Sequence, residues 1–312
     1  MLLKQLKASN DKLKKAAAIA SVSLAFILIA IKFIGVVYTG SLSILSSLAD
    51  SLADLFASAA TFWAIKISSQ PADNKHRYGH GKAEALSALL QTAFIAGSGI
   101  FICYDAINKF INPKPLLRSE SGIIVMIICL ALTILLILFQ KFVAKKTNSQ
   151  AIRADASHYS VDVITNISVI TALFIVNRWQ VYWVDSLMAL LISLYLLLNA
   201  YSLAQDALSM LMDKELSDDI REKIIKTTLA CDHINGVHDL RSRDLGGTYI
   251  FELHLELDGN LSLNKAHEYT VAVESAIINM YPNSQVIIHQ DPSGIKESRL
   301  DHQISGSCMI DE

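Results

Sequence analysis

The sequence predicts an all-α membrane domain of six transmembrane helices followed by a small α+β domain of order αββαβ. Three observations lead there. Of 312 residues, 52% are hydrophobic and only 18% charged, where a soluble domain of this size carries about a quarter charged residues. Six stretches, at about 16–38, 41–66, 84–108, 120–143, 154–177 and 183–209, are long and apolar enough to span a bilayer, which takes roughly 20 residues each. From about residue 213 the composition turns mixed and charged. The expected division is a cytoplasmic tail (1–15), a membrane domain (16–209), a cytoplasmic domain (210–292) and a mobile tail (293–312) with no apolar pattern.

The first apolar segment is too long for a signal peptide, and no small-residue cleavage pattern follows it. Orientation follows from Lys and Arg. The N-terminal tail carries Lys4, Lys7, Lys12, Lys14 and Lys15. The loop after the second span carries Lys66, Lys75, Arg77 and Lys82, and that after the fourth Lys141, Lys145, Lys146 and Arg153. The opposite loops hold only Lys109, Lys114, Arg118 and Arg178. Positive charge concentrates inside, so both termini and the C-terminal domain are expected in the cytoplasm.

In the second span, Ser43, Ser47, Asp50, Asp54, Ser58 and Thr61 recur at steps of three and four, one polar stripe on a helix. The third span places Glu84, Gln91, Ser98 and Asp105 at seven-residue intervals, a pattern that favours helix–helix hydrogen bonding. The fifth repeats the stripe with Asp155, His158, Asp162 and Thr165 or Asn166. In the C-terminal part, Ser217 is placed to cap a helix to about Ala230, with Asp218 and Asp219 in its first turn. Segments 237–245 and 248–257 meet at Gly246-Gly247, a hairpin signal. A helix from Asn264 to about Met280 and a strand at 284–289 complete the order.

Ionisable groups at bilayer depth are costly and mark pathways more often than packing. The pairs Asp50/Asp54 and His158/Asp162, each at i, i+4, put two ligands on one helical face. Three carboxylates and an imidazole from two helices suit tetrahedral Zn²⁺. They suit Ca²⁺ and Mg²⁺ poorly, since those ions prefer all-oxygen shells. Metal binding needs deprotonated ligands, so loading the site releases protons. The competing reading is a hydrogen-bonded or proton-relay role without metal. Asp73, His76 and His80 in the loop PADNKHRYGHGKAE are spaced to surround one cation, or form a solvated basic loop. His238, His254, His267 and His289, with Gln290 and Asp291, suggest a metal cluster in the soluble domain, with Asp291 placed to bridge two ions. His254 alone is equally compatible with plain surface. Cys103, Cys129, Cys231 and Cys308 form no CxxC, so neither disulfides nor a thiolate site is expected.

The motifs LADSLADLFAS, QPADNKHRYGHGKAE, ADASHYSVD and VIIHQDP, in this order between about Lys15 and Pro292, resemble the cation diffusion facilitator family, most closely its bacterial ferrous-iron/zinc efflux type. The resemblance implies a ferredoxin-like soluble domain and a homodimer in the bacterial inner membrane that exchanges cytoplasmic Zn²⁺, with Fe²⁺ or Cd²⁺ as further cargo, for external protons by alternating access. It implies a transport site at Asp50, Asp54, His158 and Asp162 and a loop site at Asp73, His76 and His80. His238, His254, His267, His289, Gln290 and Asp291 match a binuclear cytoplasmic site that tightens the dimer, and Lys82 with Asp213 a charge interlock. Asn74 departs from the pattern, where relatives often carry an acid. The expected partners are divalent metal ions, protons, lipid and a second copy of the chain, with no nucleic acid. Two rival functions are a membrane metalloenzyme and a membrane-anchored metal sensor. The first lacks an HExxH or a separate general base, and an anchor has no need of mid-membrane carboxylates.

Overall fold

The computed structural model describes residues 2–39, 42–111, 123–179, 183–295 and 299–304. The chain divides into two compact units, Met1–Leu211 and Met212–Glu312. The first contains α1 (Leu2–Thr39), α2 (Leu42–Ser68), α3 (Ala83–Ile111), α4 (Ile123–Thr147), α5 (Gln150–Trp179) and α6 (Trp183–Leu211). The second contains α7 (Asp218–Leu229), β1 (Gly236–Asp244), β2 (Tyr249–Leu257), α8 (Leu263–Met280) and β3 (Ser284–Pro292).

Among the described residues, Ser9–Gly35, Ala83–Asn108, Ile127–Thr147 and Ser186–Leu211 are long and apolar enough to cross a membrane. The other two, α2 and α5, are 27 and 30 residues long and carry the carboxylates and the histidine of the polar stripes. Large apolar side chains such as Phe26, Phe33, Phe56, Trp63, Phe101 and Leu198 point outward, as expected where the surroundings are lipid. Small residues fill the contacts instead. Ala17, Ala18 and Ala151 lie in one cluster, and Ala85, Ala88, Ala154 and Ala207 in another. Without a hydrophobic drive between helices in lipid, such small residues let backbones approach closely. Gly99 on α3 shows how closely: a Cβ there would lie 3.2 Å from Leu196 Cβ on α6.

The bundle is tied together by two buried polar knots. Glu84, at the start of α3, accepts from Lys14 Nζ at 2.7 Å, from Ser68 Oγ at 3.2 Å and from the Ser149 hydroxyl. Asp155 on α5 accepts from Ser21, Gln91 and Gln140 on three other helices. Gln91 also donates to Ala57 O and Thr61 Oγ1. The seven-residue line on α3 therefore joins helices at Glu84 and Gln91, while Ser98 is exposed.

Residues 2–15 are helical and continuous with α1, and Lys14 is buried against Glu84. A lysine counted as a loop cation can thus be a buried ion-pair partner. Lys114, Arg118 and Cys308 lie outside the described residues.

The second unit is a three-stranded sheet of order β1-β2-β3, with β1–β2 antiparallel and β2–β3 parallel. The glycine pair at the hairpin has φ of 82° and 93°, the left-handed region that glycine enters without steric cost. Ser217 is the N-cap of α7, although its hydroxyl accepts no bond there. Ser262, rather than Asn264, caps α8 and accepts from Lys265 N. Phe251, Leu253, Leu255 and Leu257 alternate onto one face of β2, where they pack with Ile224 of α7 and Val273 and Ile277 of α8. Glu252, His254 and Glu256 project from the other face. The tail expected to be mobile is held at residues 299–304. There the Arg299 guanidinium meets Glu256 at 2.5 Å, Asp301 accepts from Asp239 N at 2.7 Å, and Arg221 reaches Asp301 at 3.2 Å.

Candidate metal centres

Helical spacing and packing between α2 and α5 build the first centre. His158 Nε2 lies 3.0 Å from Asp54 Oδ1, and Asp54, His158 and Asp162 each offer a ligand atom within 4.8 Å of the others. His158 is buried, and Asp54 and Asp162 are half-buried. Asp50 lies one helical turn before Asp54 on α2, and its side chain is outside the described part of the structure, as are those of Thr165 and Asn166. Asp155 does not belong to this group. The stripe reading put it beside His158, but it turns into the hydrogen-bonded knot. A polar stripe on one helix is wide enough to face two neighbouring grooves, and here it serves two different jobs.

The second centre is the α2–α3 loop. Asp73, His76 and His80 converge within 4.8 Å, with His76 Nδ1 3.4 Å from Asp73 Oδ1 and His80 Nε2 3.5 Å from Asp73 Oδ2. The loop is shaped by Asp73 itself, whose Oδ1 accepts from Lys75 N at 2.8 Å and His76 N at 2.6 Å. Those backbone bonds hold its carboxyl below the usual carboxylate range, so it is ready to meet a cation at neutral pH. Asp73 and His76 are open to solvent, while His80 is half-buried.

The third centre lies on the open face of the second unit's sheet. Strand register puts His238, His254 and His289 opposite one another across all three strands. On β1 the register slips by one residue between His238 and Arg241, and Asp239 takes φ 52°. This bulge re-aims the strand next to the site, and Asp tolerates the left-handed conformation better than most residues. His254 Nδ1 lies 2.7 Å from Asp291 Oδ2, His238 Nε2 3.6 Å from the same oxygen, and His289 Nε2 3.2 Å from Asp291 Oδ1. His238, His254 and Asp291 form the compact trio. Burial, with the Arg299 guanidinium and His254 nearby, holds His238 below its ordinary value of 6.5, so it is neutral at pH 7.

Two expected members stand apart. Gln290 points the other way along β3, as strand alternation requires, and its amide donates to Thr270 Oγ1 of α8 at 2.8 Å. His267 sits exposed on α8, the helix that packs on the opposite, apolar face of the sheet. Sequence order cannot tell which side of a sheet a helix will cover. For the expected interlock, Lys82 Nζ approaches Leu211 O at 3.4 Å within the first unit, and Asp213 lies 3.8 Å from Arg243 Nη1 within the second. Sequence reasoning left Glu256 out of the candidate ligands. It lies 3.8 Å from His238 Nε2, and the i, i+2 spacing to His254 was the available signal.

A family model for the cation efflux transmembrane domain matches residues 18–212, and one for the cytoplasmic domain of cation efflux proteins matches residues 216–293. The cation-efflux pump FieF of Klebsiella pneumoniae is 42% identical over 287 residues, covering 92% of this chain and 95% of that protein. The pump of the same name from Escherichia fergusonii is also 42% identical over 287 residues, with the same coverage of 92% and 95%. Among solved structures, the metal-bound C-terminal domain of the CzcD transporter from Thermotoga maritima is 29% identical, covering 25% of this chain and 93% of that one, at a TM-score of 0.25.

Proposed function

The chain belongs to the cation efflux family, and from that premise we propose that it exports a divalent transition metal, zinc foremost, in exchange for protons. It is a membrane transporter rather than an enzyme. One observation carries the cargo assignment. A buried imidazole and two carboxylates from α2 and α5 converge within 4.8 Å, and one turn of α2 leads to Asp50 as the fourth ligand. Such a mixed nitrogen and oxygen set favours zinc-like ions over magnesium or calcium. Fe²⁺ and Cd²⁺ are compatible with the same donors.

Proton exchange follows from the ligands themselves. Carboxylate and imidazole bind metal only when deprotonated. A site loaded on the cytoplasmic side and emptied on the other therefore returns occupied by protons, and the two flows are opposite. In this reading the loop cluster and the soluble cluster bind metal without carrying it across, and the soluble domain joins two copies into a dimer. The positive-charge bias supports cytoplasmic termini, and the efflux family supports the outward direction.

Zinc uptake into everted membrane vesicles under a proton gradient tests the assignment. Asp54→Ala and His158→Ala are each expected to abolish it at wild-type protein levels. Wild-type uptake by either variant overturns the transport site.

A further inference from the structure

Asp155 is a fully buried carboxylate three residues before His158, and no metal cluster among the described residues includes it. Its Oδ2 accepts from Ser21 Oγ of α1 at 2.7 Å and from Gln140 Nε2 of α4 at 2.5 Å. Its Oδ1 accepts from Gln91 Nε2 of α3 at 3.0 Å, with Ser58 Oγ of α2 at 3.5 Å. Ser58 in turn meets Ser21 Oγ at 2.8 Å and Tyr159 Oη at 2.9 Å. Five helices thus meet at one side chain, and Ser21, Ser58, Gln91 and Gln140 are themselves fully buried.

The orientation of the two amides reveals what the knot is built for. Gln91 Oε1 and Gln140 Oε1 are both buried with no hydrogen-bond partner among the described residues. Gln140 directs its NH₂ group at position 155, and Gln91 shares its NH₂ among Asp155, Thr61 Oγ1 and Ala57 O. Buried polar atoms are rarely left unsatisfied, and two such atoms around one group mean that the centre demands donors. An ionised carboxylate makes that demand, since it is acceptor-only; a neutral amide or a packing residue does not.

The knot also has a fixed relation to the proposed metal site. Ser58 lies four residues after Asp54 on α2, and Asp155 three residues before His158 on α5, about one turn in each case. The contact between Ser58 and Asp155 therefore sets the separation of the two helices one turn from where Asp54 and His158 meet. We propose that Asp155 is a positioning residue for transport: it locks α2 against α5 at the spacing the metal needs and supplies a fixed negative charge beneath the site. The proposal rests on the reading of Asp54, His158 and Asp162 as the transport site. In low dielectric an anion one turn away raises affinity for a cation, and outer partners of metal ligands commonly govern affinity.

The test uses the full-length protein in proteoliposomes, with initial zinc transport rates measured across zinc concentrations. Asp155→Asn is expected to raise KM for zinc roughly tenfold while Vmax changes much less, the effect typical of losing an outer partner. Gln140→Glu combined with Asp155→Asn exchanges carboxylate and amide, preserving both the charge and the bond between α4 and α5. That double variant is expected to return KM toward wild type. A purely structural role predicts loss of thermal stability and of Vmax, with KM unmoved. Wild-type KM in folded Asp155→Asn, or a raised KM in a double variant as stable as wild type, overturns the proposal. Should Asp155→Asn fail to fold, Ser58→Ala decides: it removes one hydroxyl at the α2–α5 contact, and an unchanged KM overturns the proposal. Asp54→Ala, assayed alongside, separates the two failures, because transport by that variant overturns the site reading itself.

Discussion

Removing the Glu84 carboxylate strands a buried ammonium. Lys14 and Glu84 are both buried and 2.7 Å apart, and losing one partner of such a pair costs roughly 3–5 kcal/mol. Glu84→Gln is therefore expected to lower the thermal midpoint in detergent well below that of the double variant Lys14→Met/Glu84→Gln, which leaves no lone charge. Equal midpoints would mean that the pair is not buried as described. His238 gives a second residue-scale outcome with a defined sign. Its folded value lies below the ordinary 6.5, so the unfolded chain takes the proton more readily. Above about 6.5 both states are neutral and the group contributes nothing to stability. As pH falls below it, protonation favours opening of the sheet. Hydrogen exchange of β1 and β2 in the metal-free protein, corrected for intrinsic rates, is expected to quicken with acid, and His238→Gln to flatten that dependence. At this scale the sequence brought Asp54, His158 and Asp162 together, because i, i+4 spacing is local. It did not separate Asp155 from His158, since their roles depend on which helices fill the neighbouring grooves.

At the scale of elements, α3 and α6 meet through Gly99, where a Cβ would sit 3.2 Å from Leu196 and 3.3 Å from Leu197. Gly99→Val is expected to lower stability by about 1–3 kcal/mol through overpacking, visible as a drop in thermal midpoint, with Gly97→Val, whose Cβ meets nothing, as the near-neutral control. The soluble sheet offers a complementary outcome. Zinc held by folded His238, His254 and Asp291 at about a hundred times Kd would add about 2.7 kcal/mol. Exchange protection of β1–β3 is expected to rise with zinc and to lose that response in His254→Ala. Unaltered protection in wild type would remove metal from this face. The three strands, the hairpin and the histidines on them were legible from alternation and the glycine pair. The bulge at Asp239 was not, because a single extra residue leaves no periodic trace. The location of His267 was not legible either, since the side of the sheet taken by α8 is decided by core packing with Val273 and Ile277.

For the whole molecule, membrane class and the break near residue 212 followed from composition, whereas the interior of the bundle did not. Apolar stretches say that helices cross a bilayer, and the polar stripes on α2 and α5 say which two face something polar. Only packing shows that Glu84 and Asp155 gather α1, α3 and α4 around that pair. The account predicts a division of labour. Variants of the soluble cluster, such as His254→Ala, are expected to reduce zinc transport, while loss of Asp54 or His158 ends it. A soluble-cluster variant as inactive as Asp54→Ala would argue against that division. The most direct measurement is zinc-driven proton movement in proteoliposomes containing a trapped pH indicator. External zinc is expected to alkalinise the lumen as zinc enters and protons leave, with no signal from Asp54→Ala. Zinc entry without any pH change, or an undiminished proton signal in Asp54→Ala, would contradict it.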